Sequence, residues 1–389
     1  MPLSHFLLSF FWLWLAFVWL RRAFIAWRTF REVPMLEPAP APERAGAPKI
    51  SILVPARNEE KNLEPCLRSL LAQDYPDFEI IVINDRSEDA TASILNRLEF
   101  RDVTNPANDS RSKKVLHLNT VLPEGWTGKN RALAEGIRYA RGEWLLFTDA
   151  DTRHEPGSLS TALAAAQKQQ VSLLSLLPRC LTGSFLENLL QPIAMAFLGL
   201  WFPLTKVNAP NSKVYFANGQ YLFMHRSAYE KTGGHAAVAD EFLEDFALMR
   251  ETRAAGMKAA TFFGAEIYGT RMYADWHALW RGWRRIYRHA FHSSAAVLAV
   301  KALEVFLCSL LPFFILIFAL LAANTSGAVL LPAGAAVLAM LAAASLAYTL
   351  VHADKRWILG HPAAALILCL ILLDAARESA FDHPTCWRG

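Results

Sequence analysis

Paired cysteines are missing from this 389-residue sequence. Cys66, Cys180, Cys308, Cys369 and Cys386 are scattered, odd in number and form no CxxC pair. That spacing indicates neither a zinc site nor a disulfide framework, so they read as isolated thiols. Strong charge of one sign is also missing: the net charge of +4 is too small for the basic surface that nucleic-acid binding requires. No GxGxxG follows a strand, and neither GxxxxGKS nor GxxxxGKT occurs. Any nucleotide bound here must have its phosphates neutralised by a metal and basic side chains rather than by a glycine-rich loop. The apolar N-terminal run has no positive charge before it and no small-residue cleavage site after it, so a retained anchor is expected rather than a signal peptide.

What is abundant is apolar surface, and it is unevenly spread. The hydrophobic content is 53% and gathers at the two ends, the pattern of a membrane protein with a polar middle. Residues 3–20 are almost wholly apolar and are followed at once by Arg21, Arg22, Arg28 and Arg31. The positive-inside tendency then puts the N-terminus outside and the arginines in the cytoplasm. Apolar blocks return at residues 303–323, 328–351 and 363–376. Their connections are an uncharged one at 324–327 and a basic one at 352–361 bearing Lys355 and Arg356, which four spans place in the cytoplasm. The third block is short for a full span, with a re-entrant or interfacial segment as the alternative. The expected organisation is a transmembrane anchor at 1–22, a Pro/Ala-rich linker at 33–48, a cytoplasmic α/β domain at 49–272, a basic aromatic helix at 273–296 and a C-terminal membrane region at 300–377. A further apolar stretch at 185–204, interrupted by Glu187, Pro192 and Pro203, reads equally as a buried core helix or as an interfacial segment beside a lipid groove.

The middle of the chain alternates strand and helix. ISILVPA and FEIIVIND are short β-branched runs ending in polar loops, and residues 60–73 between them have helical periodicity through Leu63, Leu67, Leu70 and Leu71. A third run, WLLFTDAD, follows the helix-like ALAEGIRYARG. This order argues for a mostly parallel, helix-covered sheet, in which ligands bind at the carboxyl ends of the strands.

All three strands end there in polar residues, among them Arg57 and Glu59, Asp85, and the pair Asp149 and Asp151. In an extended segment residues two apart share a side, so Asp149 and Asp151 converge. Two adjacent carboxylates are costly unless something positive sits between them or one takes up a proton. Mg2+ or Mn2+ takes oxygen ligands and leaves positions for phosphate oxygens. A bare DxD would be a polar turn with a helix cap; the company of Asp85 and PARNEE favours the metal.

Glu244 and Asp245 open an amphipathic helix. Acids in a first turn ordinarily serve the helix dipole; the alternative is a general base for an acceptor hydroxyl, favoured by the preceding glycine-bearing FANGQYLFMHRSAYEKTGGH. Further on, Trp276, Trp280, Trp283, Tyr287 and Phe291 recur on one helical face, with Arg281, Arg284, Arg285 and Arg288 mostly off it. Such a helix suits a membrane surface, and Arg281 and Arg284 are candidates for contact with a diphosphate leaving group.

Taken as an ordered set, VPARNEE, VINDRSEDAT, GWTGKNRAL, TDAD, FANGQYLFMHR and LEDFAL resemble the inverting family 2 glycosyltransferases of the GT-A type, over residues 49–292. Within that family the chain is most similar to membrane-bound enzymes acting on lipids, the hopene-associated and ceramide-glucosyltransferase-like proteins. The resemblance implies a Rossmann-like, mostly parallel domain in the cytoplasm of a multi-pass inner-membrane protein, with one N-terminal and about three C-terminal transmembrane helices. It implies a nucleotide-sugar donor, with a UDP-sugar expected, and a hopanoid, polyisoprenoid or sphingolipid-like acceptor.

By position, the resemblance has Pro55, Arg57, Glu59 and Asp85 hold the base and ribose, with Lys129 near the nucleotide. Asp149 would face the ribose or the metal, Asp151 would ligate the metal, and Asp245 would be the catalytic base. The family's (Q/R)xxRW motif is met in part by Arg281-Gly-Trp-Arg284-Arg285, where Arg285 replaces the tryptophan. That departure and the four expected spans disfavour a processive polysaccharide synthase. A third alternative is a non-catalytic sugar-nucleotide-binding protein, against which the retained DxD and Glu244-Asp245 weigh.

Overall fold

A computed structural model describes residues 3–105, 112–273, 275–321 and 327–381. The chain divides into two compact units. One comprises Pro34–Leu181 and Lys206–Met272; the other comprises, among the described residues, those up to Val33, Thr182–Thr205 and those from Tyr273 on. Cys386 and most of the expected 324–327 connection lie outside the described residues.

The first unit is α/β. Its strands are β1 (Ile50–Ala56), β2 (Phe78–Asp85), β3 (Arg101–Asp102), β4 (Lys113–Leu118), β5 (Trp144–Phe147), β6 (Thr152–His154), β7 (Leu173–Leu177), β8 (Arg179–Cys180), β9 (Leu222–His225), β10 (Ala259–Phe263) and β11 (Tyr268–Thr270). Eight of them form one sheet in the order β10-β7-β9-β5-β1-β2-β4-β3. Only β9 runs antiparallel to its neighbours β5 and β7; the other pairings are parallel. β1 is buried along its whole length, as is β2 after Phe78. That is why both read as continuous apolar runs rather than alternating ones.

The expected helix between them spans Leu63–Leu71 and buries Leu63, Cys66, Leu67 and Leu70. Each such leucine removed from water contributes about 1.5–3 kcal/mol. A second, three-stranded sheet, β6-β11-β8, lies beyond the end of β5. The Pro/Ala-rich linker is extended, as its composition suggests, but it is not free. Leu36 N–H donates to the Phe263 carbonyl at 2.9 Å, and Ala39 N–H donates to Thr161 Oγ1 at 2.8 Å.

The other unit is helical. Among the described residues, five helices are long and apolar enough to cross a membrane: Ser9–Glu32, Phe185–Val207, Ala295–Phe318, Leu331–Leu350 and Lys355–Ala380. The N-terminal helix runs from Leu3 to Glu32, past the arginines expected to end it. The stretch around 185–204 forms the helix Phe185–Trp201, opened by a Ser184/Glu187 capping box and burying Leu189, Leu190, Ile193, Ala194 and Phe197.

The last apolar block, short in sequence, belongs to the 20-residue helix His361–Ala380. It continues through its charges because they are paired. Asp374 meets Arg284 and Arg377 at 3.1 and 2.9 Å, and Glu378 meets Arg284 at 3.1 Å.

The aromatic stripe of Trp276–Ala290 does not present all its rings outward. Trp283 and Tyr287 are buried, Trp283 Nε1 donates to Gln191 Oε1, and Tyr287 OH donates to the Ala194 carbonyl at 2.7 Å. Periodicity identified the face; the neighbouring helix Phe185–Trp201, distant in sequence, covers much of it.

Candidate active site

The residues expected at the strand ends are brought to one edge of the main sheet. Pro55 sits in β1 in register with Ile83 of the parallel β2, and Ala56 with Asn84, so the loops that follow emerge side by side. They are stitched together. Asn58, at φ 55°, donates its N–H to Ser87 Oγ at 3.0 Å and accepts from Glu88 N–H at 2.8 Å. Glu59 N–H donates to Thr91 Oγ1 at 3.0 Å, and its carboxylate accepts from Asn62 Nδ2 at 3.0 Å. Arg57 is partly exposed on the same loop. Asp85, the last residue of β2 and 4% exposed, is held by both arms of Arg86 at 2.8 and 2.9 Å.

β5 stops at Phe147, so Asp149 and Asp151 stand in the turn between β5 and β6 rather than on extended strand. The turn is tied from below. Thr152 Oγ1 donates to the Asp149 carbonyl at 2.7 Å, Thr148 Oγ1 donates to the Gln220 carbonyl at 2.7 Å, and His154 Nε2 lies 2.9 Å from Thr152 Oγ1. Burial pushes the His154 imidazole down to about 3, so it is a neutral hydrogen-bonding group at neutral pH. These polar residues around the two aspartates shape the turn.

The repulsion expected between Asp149 and Asp151 is met partly by the protein itself. Lys129 Nζ lies 2.8 Å from Asp149 Oδ1 and 2.7 Å from Glu244 Oε1. Burial opposes the ammonium, but the two carboxylates prevail and hold its proton more tightly than usual. Lys129 begins the helix Gly128–Gly136, capped by Thr127, whose hydroxyl accepts from Asn130 N–H. Asn130, fully buried, donates through Nδ2 to the carbonyls of Val238, Ala239 and Glu241 at 2.6, 3.2 and 2.9 Å. It thereby pins the lysine's helix to the loop that leads into Glu244 and Asp245. Nothing in the sequence pattern marks Asn130, because its partners are backbone carbonyls more than a hundred positions away.

Asp245 is 7% exposed. Its Oδ2 accepts from Gly219 N–H at 2.6 Å and its Oδ1 from Phe246 N–H at 2.9 Å. Burial and then the Glu244 charge push its carboxyl up to about 7, against the pull of Lys129 and the two backbone N–H groups. Gly219 is required by close approach: a Cβ there would lie 2.7 Å from Glu244 Oε1 and 3.1 Å from Lys129 Nζ.

Asp149 and the buried Asp151 are hard oxygen donors on one turn, the kind that suits Mg2+ or Mn2+. Among the described residues no group of three or more His, Cys, Asp or Glu side chains could hold an ion. Asp149 and Asp151 alone supply two carboxylates, so a cation held there would take its remaining ligands from outside this pair.

In the helical unit, Arg281 is exposed. Arg284 is not the free guanidinium the sequence suggested: it lies 3.1 Å from Asp374 and 3.1 Å from Glu378.

The mostly parallel sheet with acids gathered at its strand ends has the architecture of the GT-A fold. Residues 51–233 match the family model described as glycosyl transferase family 2. The 4,4'-diaponeurosporenoate glycosyltransferase of Staphylococcus aureus (strain USA300) is 27% identical over 245 residues, 61% of this chain and 60% of that protein. The chain thus matches less than two thirds of that relative's length. Among solved structures, the mannosyltransferase PcManGT from Pyrobaculum calidifontis, in complex with GDP-Man and Mn2+, is similar in fold. Its TM-score is 0.51 at 18% identity, covering 97% of this chain and 100% of that one.

Proposed function

We propose that the protein is a membrane-bound inverting glycosyltransferase that moves a single sugar from a nucleotide-sugar donor, a UDP-sugar, to a lipid acceptor. The carrying observation is the placement of Asp245, with its carboxyl near 7, beside the Lys129–Glu244 pair. A general base is most effective when its pKa lies near the working pH. The apolar helices and the acceptor named for the Staphylococcus relative support a lipid-like acceptor, here a hopanoid, polyisoprenoid or sphingolipid-like one.

In this reading Pro55, Arg57, Glu59 and Asp85 hold the base and ribose, and the stitched loops keep them in place. Lys129 lies near the nucleotide, and Asp149 faces the ribose or the metal. A divalent cation, Mg2+ or Mn2+, held by Asp151 and Asp149, would supply positive charge for the departing diphosphate. Asp245 takes the proton from the acceptor hydroxyl. The acceptor oxygen attacks the anomeric carbon from the face opposite the diphosphate, the bond to the diphosphate breaks, and the configuration inverts. Arg281 is kept as a candidate phosphate contact. Arg284 is assigned to holding its own helix through Asp374 and Glu378. The positive-inside arrangement of Arg21, Arg22, Lys355 and Arg356 supports a cytoplasmic α/β domain at the inner membrane.

Membranes containing the full chain, incubated with labelled nucleotide sugars and extracted, test this. Label in the lipid phase is expected. Label in a polymer would instead mean a processive synthase. Nucleotide binding with no label from any donor would mean a binding protein.

A further inference from the structure

The helical unit contains a cavity of about 30 Å³ that the glycosyl-transfer reading does not use. It is lined from the N-terminal helix Leu3–Glu32, from Phe185–Trp201, from Gly327–Leu350 and from His361. Much of its wall is small and apolar, including Ala343, Ala344 and Ala347. Three polar side chains break that wall: Arg22, Tyr348 and His361 are 6%, 1% and 3% exposed. The Arg22 Nη1, the Tyr348 hydroxyl and both ring nitrogens of His361 are buried without a hydrogen-bond partner. Polar groups left unsatisfied between apolar helices are costly, and several facing one space mark a binding site.

Charge and size narrow the ligand. The other arm of Arg22 meets Glu304 at 2.6 Å, and Glu304 also meets Lys301 at 3.1 Å. Two cations share one anion, so the group carries one uncompensated positive charge. The space is about two to three times what a single water needs, enough for the three heavy atoms of a carboxylate head group whose chain leaves the cavity. Tyr348 stands two residues from the end of Gly327–Leu350, and His361 opens the next long helix. The cavity therefore lies where helices end and the chain turns back, the depth at which a lipid head group sits.

We propose that this cavity binds the carboxylate of a long-chain carboxylic acid, its oxygens accepting from Arg22, Tyr348 and His361 and its chain passing along the alanine-lined wall. The inference stands on the helical unit alone and does not rest on the glycosyl-transfer reading.

Saturable binding of labelled palmitate to the full chain in phosphatidylcholine nanodiscs, compared with hexadecanol, tests it. Wild type should bind one palmitate, with hexadecanol weaker by about tenfold or more, since the hydrogen bonds are to a charged group. Arg22→Gln should remove the preference for the acid, and Tyr348→Phe should weaken both ligands several-fold, with nucleotide binding unchanged in each as the control for folding. If Arg22→Gln does not fold, His361→Asn replaces it, with a several-fold loss of palmitate expected. No saturable palmitate binding in wild type, or equal palmitate affinity in the folded variants, would overturn the proposal. Palmitate binding that persists while no sugar is transferred would overturn the transferase reading and leave this one standing.

Discussion

Lys129 and the buried Glu244 form an ion pair at 2.7 Å, joining a helix that follows β4 to the helix that carries Asp245. The same ammonium reaches Asp149 at the end of β5. One side chain thus ties together two segments that the proposed reaction needs in register, the DxD turn and the proposed base Asp245. Replacing Lys129 leaves two carboxylates without their cation, and removing one partner of such a largely buried pair costs about 3 kcal/mol. Lys129→Met is expected to lose about that much stability in denaturant titrations. It should also move the pH profile of any residual activity upward, because the charge that lowers the Asp245 pKa is gone.

Asp245→Asn keeps the shape of the side chain and removes the proposed base. Transfer should fall by about a hundred- to ten-thousandfold, while the affinity for donor, measured by calorimetry, stays within a few-fold of wild type. Unchanged turnover would remove Asp245 from the mechanism.

The same carboxyl sets a pH dependence whose sign can be worked out. Its ordinary value is 3.8, and in the fold it is raised to about 7. Between those values the unfolded chain has released a proton that the folded chain keeps. Its contribution to stability therefore falls as pH rises from about 4 to about 7 and is level above that. Activity runs the other way, because the ionised form is the base: kcat/KM should climb as pH rises through about 7. Asp245→Asn should be more stable than wild type at pH 8, and it should lack that rise.

Gly219→Ala puts a methyl group 2.7 Å from Glu244 Oε1. The Glu244 carboxylate must move, and the movement breaks its bond to Lys129. The expected result is a folded protein with a lowered melting transition, from the lost ion pair, and a kcat reduced tenfold or more, by about the loss of one charge-assisted hydrogen bond. A wild-type rate in this variant would show that the pair does not govern the base.

Chelation tests the cation. Stripping divalent ions should weaken donor binding, Asp151→Ala should do the same, and Mg2+ or Mn2+ should restore the wild type only. Full activity in chelator would remove the metal from the site.

Much of the fold was legible because its signals are local. Continuous apolar strands such as Ile50–Ala56, and the leucine spacing of Leu63–Leu71, report burial directly. The candidate site was legible as a set of strand-end acids. Its wiring was not: Asn130 bonds to carbonyls at 238–241, and Lys129 to residues at 149 and 244. Neither pairing follows from spacing. The same limit applies to Arg284, whose partners lie about ninety positions further on.

The sequence by itself determined which segments are apolar, which alternate as strand and helix, and where carboxylates and cations stand along the chain, because each depends on neighbours within a few residues. Only the tertiary structure decided which charges neutralise one another. It put Lys129 rather than a cation alone beside Asp149, buried Asp245 until its carboxyl titrates near neutrality, and covered the Trp283 and Tyr287 face with a helix. The physical reason is that desolvation and Coulomb energy are set by distance in space, and the fold alone brings residues 129, 149, 219, 244 and 245 within a few ångströms of one another.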